Sequence, residues 1–485
     1  MNPNLDRDTT EQSSERGYLI NERRGLFLFI FYDTETTGLN RDFDQILQFA
    51  AILTDADLVE IDRFEIRCQC LPWVVPAPMA LWVTGVSPDQ LEDPALPSFY
   101  EMMSAIRAKL ESWGPAIYAG YNTIRFDEPL LQRAFWQCLH PPYLTASDGN
   151  ARMDVLPLVQ AASHFTPDIF VYPRTKTGRT GFKLDQLAPL NGFAHEKAHD
   201  ALADVEATIH IASLLRRHAA GLWERAVKAS SKQATAAILS AGEPVLVVEY
   251  FMSGPMVWWG QRIDLNAARG TSAMLARLDR DWQGLMSIEK EALGAALIKS
   301  PKPVRAIAMN KSPLVYSAED ALNLWGLSPS SNELDAGRLL MGDPAYCTFV
   351  LETLEAQSEP WPEPKHLEQM VFSGFAGRKD KVLMEQFHRS GWPERARMVG
   401  KFEDERFRQL AQRIVFAQRS DLLPREGYKR LQAAIAERIA VDHGDAKLWR
   451  TVPGALLELD EVRSAPGGSA FADRLEDWFV QMARY

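Results

Sequence analysis

Asp33 and Glu35 stand two apart at the end of the most apolar run of the chain, LFLFIFY at residues 26–32. Read as a strand, that run sends residues i and i+2 to one face, so the two carboxylates point together. Paired anions at the rim of a hydrophobic sheet repel unless a cation balances them, and a hard divalent metal held by oxygen ligands is the simplest balance. Taken alone, Asp-x-Glu at a strand end is more often a solvated turn. Asp127, in AGYNTIRFDEPLL, opens an apolar helical segment, where it is either a site residue or an N-cap. Asp204, in HEKAHDALADVEAT, lies within a helix, and His199 precedes it by five residues. That spacing is about 140° on one continuous helix, so the two share a site only if His199 sits before the helix proper. Asp200 as N-cap arranges that.

Stepping outward, three short segments read as strands joined by turns: LFLFIFYD, QILQFAAILTD and VEIDRFEIRCQC. The first is continuously apolar, as in strands buried on both faces. Helical spacing follows at 99–113 and 128–139, with a short strand, AIYAGYN, between them. The segment 200–218 begins with Asp and ends in basic residues, as a capped helix should. Strands first and helices after predict a mixed α/β layer. Beyond it, EPVLVVEYF, MVWWGQRIDL and VRAIAMN read as strands of a smaller β-rich module, and the last third has helical spacing punctuated by Pro and Gly.

The chain has 485 residues, 46% hydrophobic and 24% charged. That length implies about three domains, and the apolar fraction excludes disorder as the main state. No apolar run approaches the ~18 residues needed to cross a bilayer, and residues 1–24 are polar with no signal-peptide core. The expectation is a soluble, cytoplasmic protein with a flexible N-terminal arm. Four Cys with no CxxC pair argue against a disulfide framework or a structural zinc site, and Cys68 and Cys70 read as packing residues. The net charge of −11 argues against wholesale nucleic-acid binding, but it is segregated: residues 378–438 hold 15 Lys and Arg against 9 Asp and Glu. Trp392, Phe402, Phe407, Phe416 and Tyr428 interleave with those cations. Aromatics at helical spacing usually form core, while alternation with cations suits a nucleic-acid lining.

Taken together, DTETTG, NTIRFD and HDALADVEAT put four carboxylates and one His in the order that resembles the DEDDh 3'-to-5' exonuclease superfamily. The resemblance implies a ribonuclease H-like mixed sheet, two Mg2+ ions (Mn2+ substituting) held by Asp33, Glu35, Asp127 and Asp204, and His199 as general base. Imidazole suits that role because it exchanges protons near neutral pH. By position in matching segments, Thr36, Asn122 and Arg152 become expected substrate-binding residues. Other readings are a turn residue for Thr36, a strand-end cap for Asn122 and a surface ion pair for Arg152.

The superfamily motif does not select among proofreading, RNA-trimming and dedicated DNA enzymes, but the organisation does. About 265 residues follow the first domain, and GFKLDQLAPLNGF, AMNKSPLV at 308–315 and VFSGF at 371–375 resemble the bacterial exonuclease I family over residues 25–485. That resemblance implies an exonuclease domain at 25–218, an SH3-like β-rich domain with a linking helix at 219–360 and a helical domain at 361–485. It further implies a monomer that degrades single-stranded DNA to 5' mononucleotides in DNA repair and recombination, and a partner in the C-terminal tail of single-stranded DNA-binding protein. An exoribonuclease, or an idle single-strand-binding scaffold, are the alternatives left open.

Overall fold

β1 (Phe29–Thr36) lies at the centre of a five-stranded sheet because its side chains are apolar on both faces. Phe29 and Phe31 enter one core and Ile30 and Tyr32 the other. β2 (Ile46–Thr54) and β3 (Glu60–Arg67) run antiparallel on one side of it, and β4 (Ile117–Gly120) and β5 (Ala151–Asp154) run parallel on the other, in the order β3-β2-β1-β4-β5. The carboxyl ends of β1, β4 and β5 therefore share one edge, where open α/β sheets present their ligand crevices. This computed structural model describes residues 28–194, 199–251, 254–264, 270–360, 362–441, 443–445 and 447–484. The expected N-terminal arm at 1–24 lies outside the described residues.

Helices cover both faces. Helix Ala201–His218 packs Val205, Ile211 and Leu215 against Phe29 and Phe31. Helices Phe99–Trp113 and Asp127–Gln137 cover Ile30 and Tyr32. The second sheet, of five antiparallel strands in the order β10-β6-β7-β8-β9, comprises β6 (Val245–Phe251), β7 (Gly254–Arg262), β8 (Ser272–Arg277), β9 (Val304–Ala308) and β10 (Leu314–Ser317). It shares the core of Phe29 and Phe31 through Leu246, Val248 and Trp259. The segment expected to be β-rich is also strongly helical: two helices, Ala220–Lys228 and Lys232–Ser240, precede the sheet, and Ser331–Gly342 and Pro344–Ala356 follow it.

The last third is helical, with helices Arg378–Arg389, Glu405–Arg419, Arg425–Ala440, Val452–Ser464 and Ser469–Met482. Phe387, Phe402, Phe407 and Leu410 complete the core that begins at Ile30 and Tyr32. The aromatics of the basic stretch thus pack in the core or against neighbouring rings. Phe402, Phe407 and Phe416 are buried, Tyr428 stacks on Phe416, and Trp392 sits between Tyr100 and Arg395. Its cations are largely met locally: Lys379 by Glu403, Arg406 by Asp404, Arg408 by Glu405, and Arg413 and Arg438 by Glu368. Among the described residues no helix is long and apolar enough to cross a membrane.

Candidate active site

The alternation along β1 places Asp33 and Glu35 on one side, half-buried, while Thr34 and Thr36 between and beyond them are buried. Asp204, in the first turn of helix Ala201–His218, reaches the same point, and carboxylate oxygens of Asp33, Glu35 and Asp204 all lie within 4.8 Å of one another. The helix start is pinned for this. Asp200 is its N-cap and accepts from the Ala203 N–H at 3.3 Å, while Arg67 and Gln48 of the neighbouring strands donate to the Asp200 carboxylate at 2.7 and 3.1 Å. His199 stands immediately outside the helix with φ 67°, a left-handed conformation that breaks the helical path at the position the sequence argument requires.

Asp127 is fully buried beside this cluster. It is the first helical residue, and Phe126 holds the cap position, so Asp127 is not an N-cap. Its Oδ1 instead accepts from Thr34 Oγ1 at 2.5 Å, tying the helix to β1. Burial raises the Asp33 carboxyl well above the usual range, and the charges of Asp127, Glu35 and Asp204 push it further. Burial, then Asp204 and Asp127, push Glu35 up to about 9, with Arg67 opposing. Burial pushes Asp127 up to about 7 against the Thr34 hydrogen bond. Arg67, the cation that eases Glu35, is already paired with Asp200. Oxygen donors crowded this closely, short of a protein cation, are the donor set of a divalent metal site.

Glu35, Thr36 and His199 open onto a cleft of about 1220 Å3. Its far wall comes from the C-terminal helical region, with Trp449, Arg450 and Glu458 among the lining residues. Asn40 fastens the two walls by donating to the carbonyls of Lys447 and Leu448 at 3.1 and 2.9 Å, and Trp449 meets Phe43 edge-on at 5.5 Å. Thr36 faces the cleft, but its hydroxyl is spent on the Gly38 carbonyl at 2.7 Å. Asn122 and Arg152 do not line it. Asn122 occupies a turn with φ 64°, its N–H donating to Asp154 at 2.8 Å. Arg152 is bound to Glu128 at 2.9 Å and to the Asn310 carbonyl at 2.6 Å; the ion pair expected at the surface is a nearly buried one.

Sequence reasoning missed the supports of this site. Asp154 ends β5 and accepts from the N–H groups of Asn122, Ile124 and Leu156, fixing the loop that delivers Asp127. Glu128, the neighbour of Asp127, is buried and accepts from Tyr32, Gln132, Thr145 and Arg152. Local spacing offers Glu128 only Gln132 of its own helix, and its other partners, Tyr32, Thr145 and Arg152, come from three separate segments.

Residues 30–212 match the RNase T family, described as exonuclease. The chain is an exonuclease related to exodeoxyribonuclease I. The exonuclease is 25% identical to exodeoxyribonuclease I of Escherichia coli strain K12 over 390 residues, which is 76% of this chain and 80% of that one. It is 32% identical to exodeoxyribonuclease I of Buchnera aphidicola subsp. Acyrthosiphon pisum over 199 residues, 40% of this chain and 48% of the relative. In fold it matches E. coli exonuclease I in complex with a dA16 oligonucleotide, with a TM-score of 0.80 at 22% identity, covering 94% of this chain and 100% of that one. A structure of SSB/exonuclease I in complex with an inhibitor matches with a TM-score of 0.77 at 21% identity, covering 94% and 99%.

Proposed function

We propose that this chain is a Mg2+-dependent 3'-to-5' exodeoxyribonuclease that removes 5' mononucleotides from single-stranded DNA in repair and recombination. One observation carries the reading: three carboxylates from two distant segments crowd at the end of β1, with a fourth buried beside them, and one of the three, Glu35, opens onto a cleft that His199 also lines. Asp33, Glu35, Asp127 and Asp204 would hold two divalent ions. Such ions, when bound, lower the pKa of an attacking water and neutralise charge on a scissile phosphate.

The chain's own residues supply the rest. The four carboxylates orient the phosphodiester by fixing where cations sit, and His199 accepts the proton of the attacking water at an imidazole nitrogen. Thr36 lies against the terminal nucleotide through its backbone and methyl group, since its hydroxyl is engaged. Asn122 and Arg152 act from behind: the Asn122 turn leads towards Asp127, and Arg152 neutralises Glu128 beside it. The likeness to exodeoxyribonuclease I and to structures with bound oligonucleotides supports DNA as substrate, and the SSB/exonuclease I structure supports single-stranded DNA-binding protein as a partner, engaged in this proposal through its C-terminal tail by a monomeric enzyme.

Digestion of a 3'-labelled DNA oligomer beside an RNA oligomer of the same sequence, in Mg2+ and in chelator, tests this. Mononucleotide release from DNA in Mg2+ alone is expected. Activity unchanged by chelator, or equal turnover of RNA, rejects it. Asp33→Ala and His199→Ala are expected to lower kcat by about 10^3-fold or more while leaving the fold intact.

A further inference from the structure

Outside the carboxylate site, one surface feature has a chemistry the site does not use. Between Asp168 and Asp185 the chain carries no acidic residue, yet Arg174, Lys176, Arg179 and Lys183 fall within ten positions of a protein whose net charge is −11. All four are exposed. Cations elsewhere are commonly met by carboxylates, as in the basic stretch above, but among the described residues no carboxylate pairs with Arg174 or Lys176.

The segment is also shaped. Residues 173–181 form a tight hairpin: the Thr175 N–H donates to the Arg179 carbonyl at 2.8 Å, the Gly178 N–H to the Thr175 carbonyl at 2.8 Å, and the Gly181 N–H to the Pro173 carbonyl at 2.7 Å. Gly178, with φ 77°, makes the turn. The foot of the hairpin is anchored on both sheets. Phe182 packs edge-on against Tyr172 at 5.7 Å and against Tyr250 of β6 at 4.9 Å, and its carbonyl accepts from Tyr121 at 2.5 Å. The next residue, Lys183, lines the cleft that also holds Glu35 and His199. A fixed cationic arm thus begins where the cleft ends, at the junction of the two sheets.

We infer that this hairpin, through Arg174 and Lys176, binds backbone phosphates of the DNA strand outside the cleft and so holds the substrate between successive cleavages. The inference rests on the proposed single-strand substrate. Unpaired, exposed cations at the mouth of an anion-processing cleft gain by displacing the counterions condensed on phosphate. The contact is sequence-independent, as an exonuclease that must move along any strand requires. It also gives an acidic protein a local route to a polyanion that its overall charge would repel.

The test compares the full-length wild type with Arg174→Gln/Lys176→Gln, measuring kcat/KM in Mg2+ over a salt series on a trimer and on a DNA oligomer of about 20 nucleotides. With about 0.7 counterions released per single-strand phosphate contact, the slope of log kcat/KM against log salt on the long oligomer should shrink by about 1.4, and kcat/KM near 0.15 M salt should fall about tenfold. The trimer should be turned over unchanged, and the charge-keeping Arg174→Lys/Lys176→Arg variant should restore the slope. An unaltered slope on the long oligomer overturns the inference, as does an equal loss on trimer and long oligomer, which would place the effect inside the cleft. A wild type that degrades neither oligomer sinks the underlying substrate assignment as well, and is distinguished by that control alone.

Discussion

Asp33 shows what one residue contributes and costs. Its half-buried carboxyl is crowded by Asp127, Glu35 and Asp204, so in metal-free protein its charged form is disfavoured. Removing that charge should therefore help the apoprotein and ruin the enzyme. Asp33→Asn is expected to raise stability in chelator by about 1 kcal/mol, as commonly found when a strained functional site is relaxed. In the wild type Mg2+ should raise Tm, because an ion that binds only the folded state stabilises it. The variant should lose most of that rise. Thermal melts of both proteins with and without Mg2+ decide it, and a wild-type Tm indifferent to Mg2+ would contradict the site. At this scale the sequence was informative where chemistry dictates residue type. Asp33, Glu35, Asp204 and His199 were expected because their local patterns, each ambiguous alone, together resemble the DEDDh order. Glu128 and Asp154 were not, since what makes them matter is hydrogen bonds to segments far along the chain.

At the level of elements, the site depends on where strands end. β1, β4 and β5 stop at the same edge: Asp33 and Glu35 stand near the end of β1, Asp154 ends β5, and the turn after β4 leads to Asp127. Gly120, last in β4, lets the following turn fold back tightly: a Cβ there would lie 1.8 Å from Thr123 Oγ1 and 2.8 Å from the Tyr32 carbonyl. Gly120→Ala is thus expected to cost about 1–3 kcal/mol by overpacking and, by displacing the 121–126 turn, to lower metal affinity. Urea unfolding and Mn2+ titration of the variant check both halves; a variant with unchanged metal affinity would show that the turn does not position Asp127. Elements with strong periodicity were legible, above all the apolar β1 and helix Phe99–Trp113. β8 and β10 were not foreseen, because the short segments SAMLAR and LVYS carry too few residues for alternation to stand out. The helices at 331–356 were absorbed into an expected β-rich module for the converse reason, since neighbouring strands dominated the pattern there.

Across the whole molecule, the C-terminal region closes the cleft through a chain of contacts that starts at a buried charge. Glu368 is almost fully buried. Burial would raise its pKa, but Arg413 and Arg438 outweigh that and hold it down at about 2. Arg438 in turn lies over the Trp449 ring at 4.2 Å, and Trp449 lines the cleft. Because the folded pKa is depressed, the stabilisation from Glu368 is present above its ordinary carboxylate value and is lost as pH falls from there through about 2. Glu368→Ala strands two guanidiniums and should cost about 3–5 kcal/mol near neutral pH, with the difference from wild type shrinking towards acid. Denaturant unfolding at pH 7 and pH 3 measures this, and a pH-independent difference would contradict it. The basic stretch illustrates the limit of composition at this scale: its net charge was visible in the sequence, but the pairing of Lys379 with Glu403 and of Arg413 and Arg438 with Glu368 arises only when distant segments meet.

The central claim is that Asp33, Glu35, Asp127 and Asp204 form one cage for paired cations. Anomalous diffraction from a crystal soaked in Mn2+ tests it most directly. Two peaks among those four carboxylates, roughly 3.5–4 Å apart, are the predicted result. Peaks only elsewhere on the molecule, or none with the four acids in place, would contradict it.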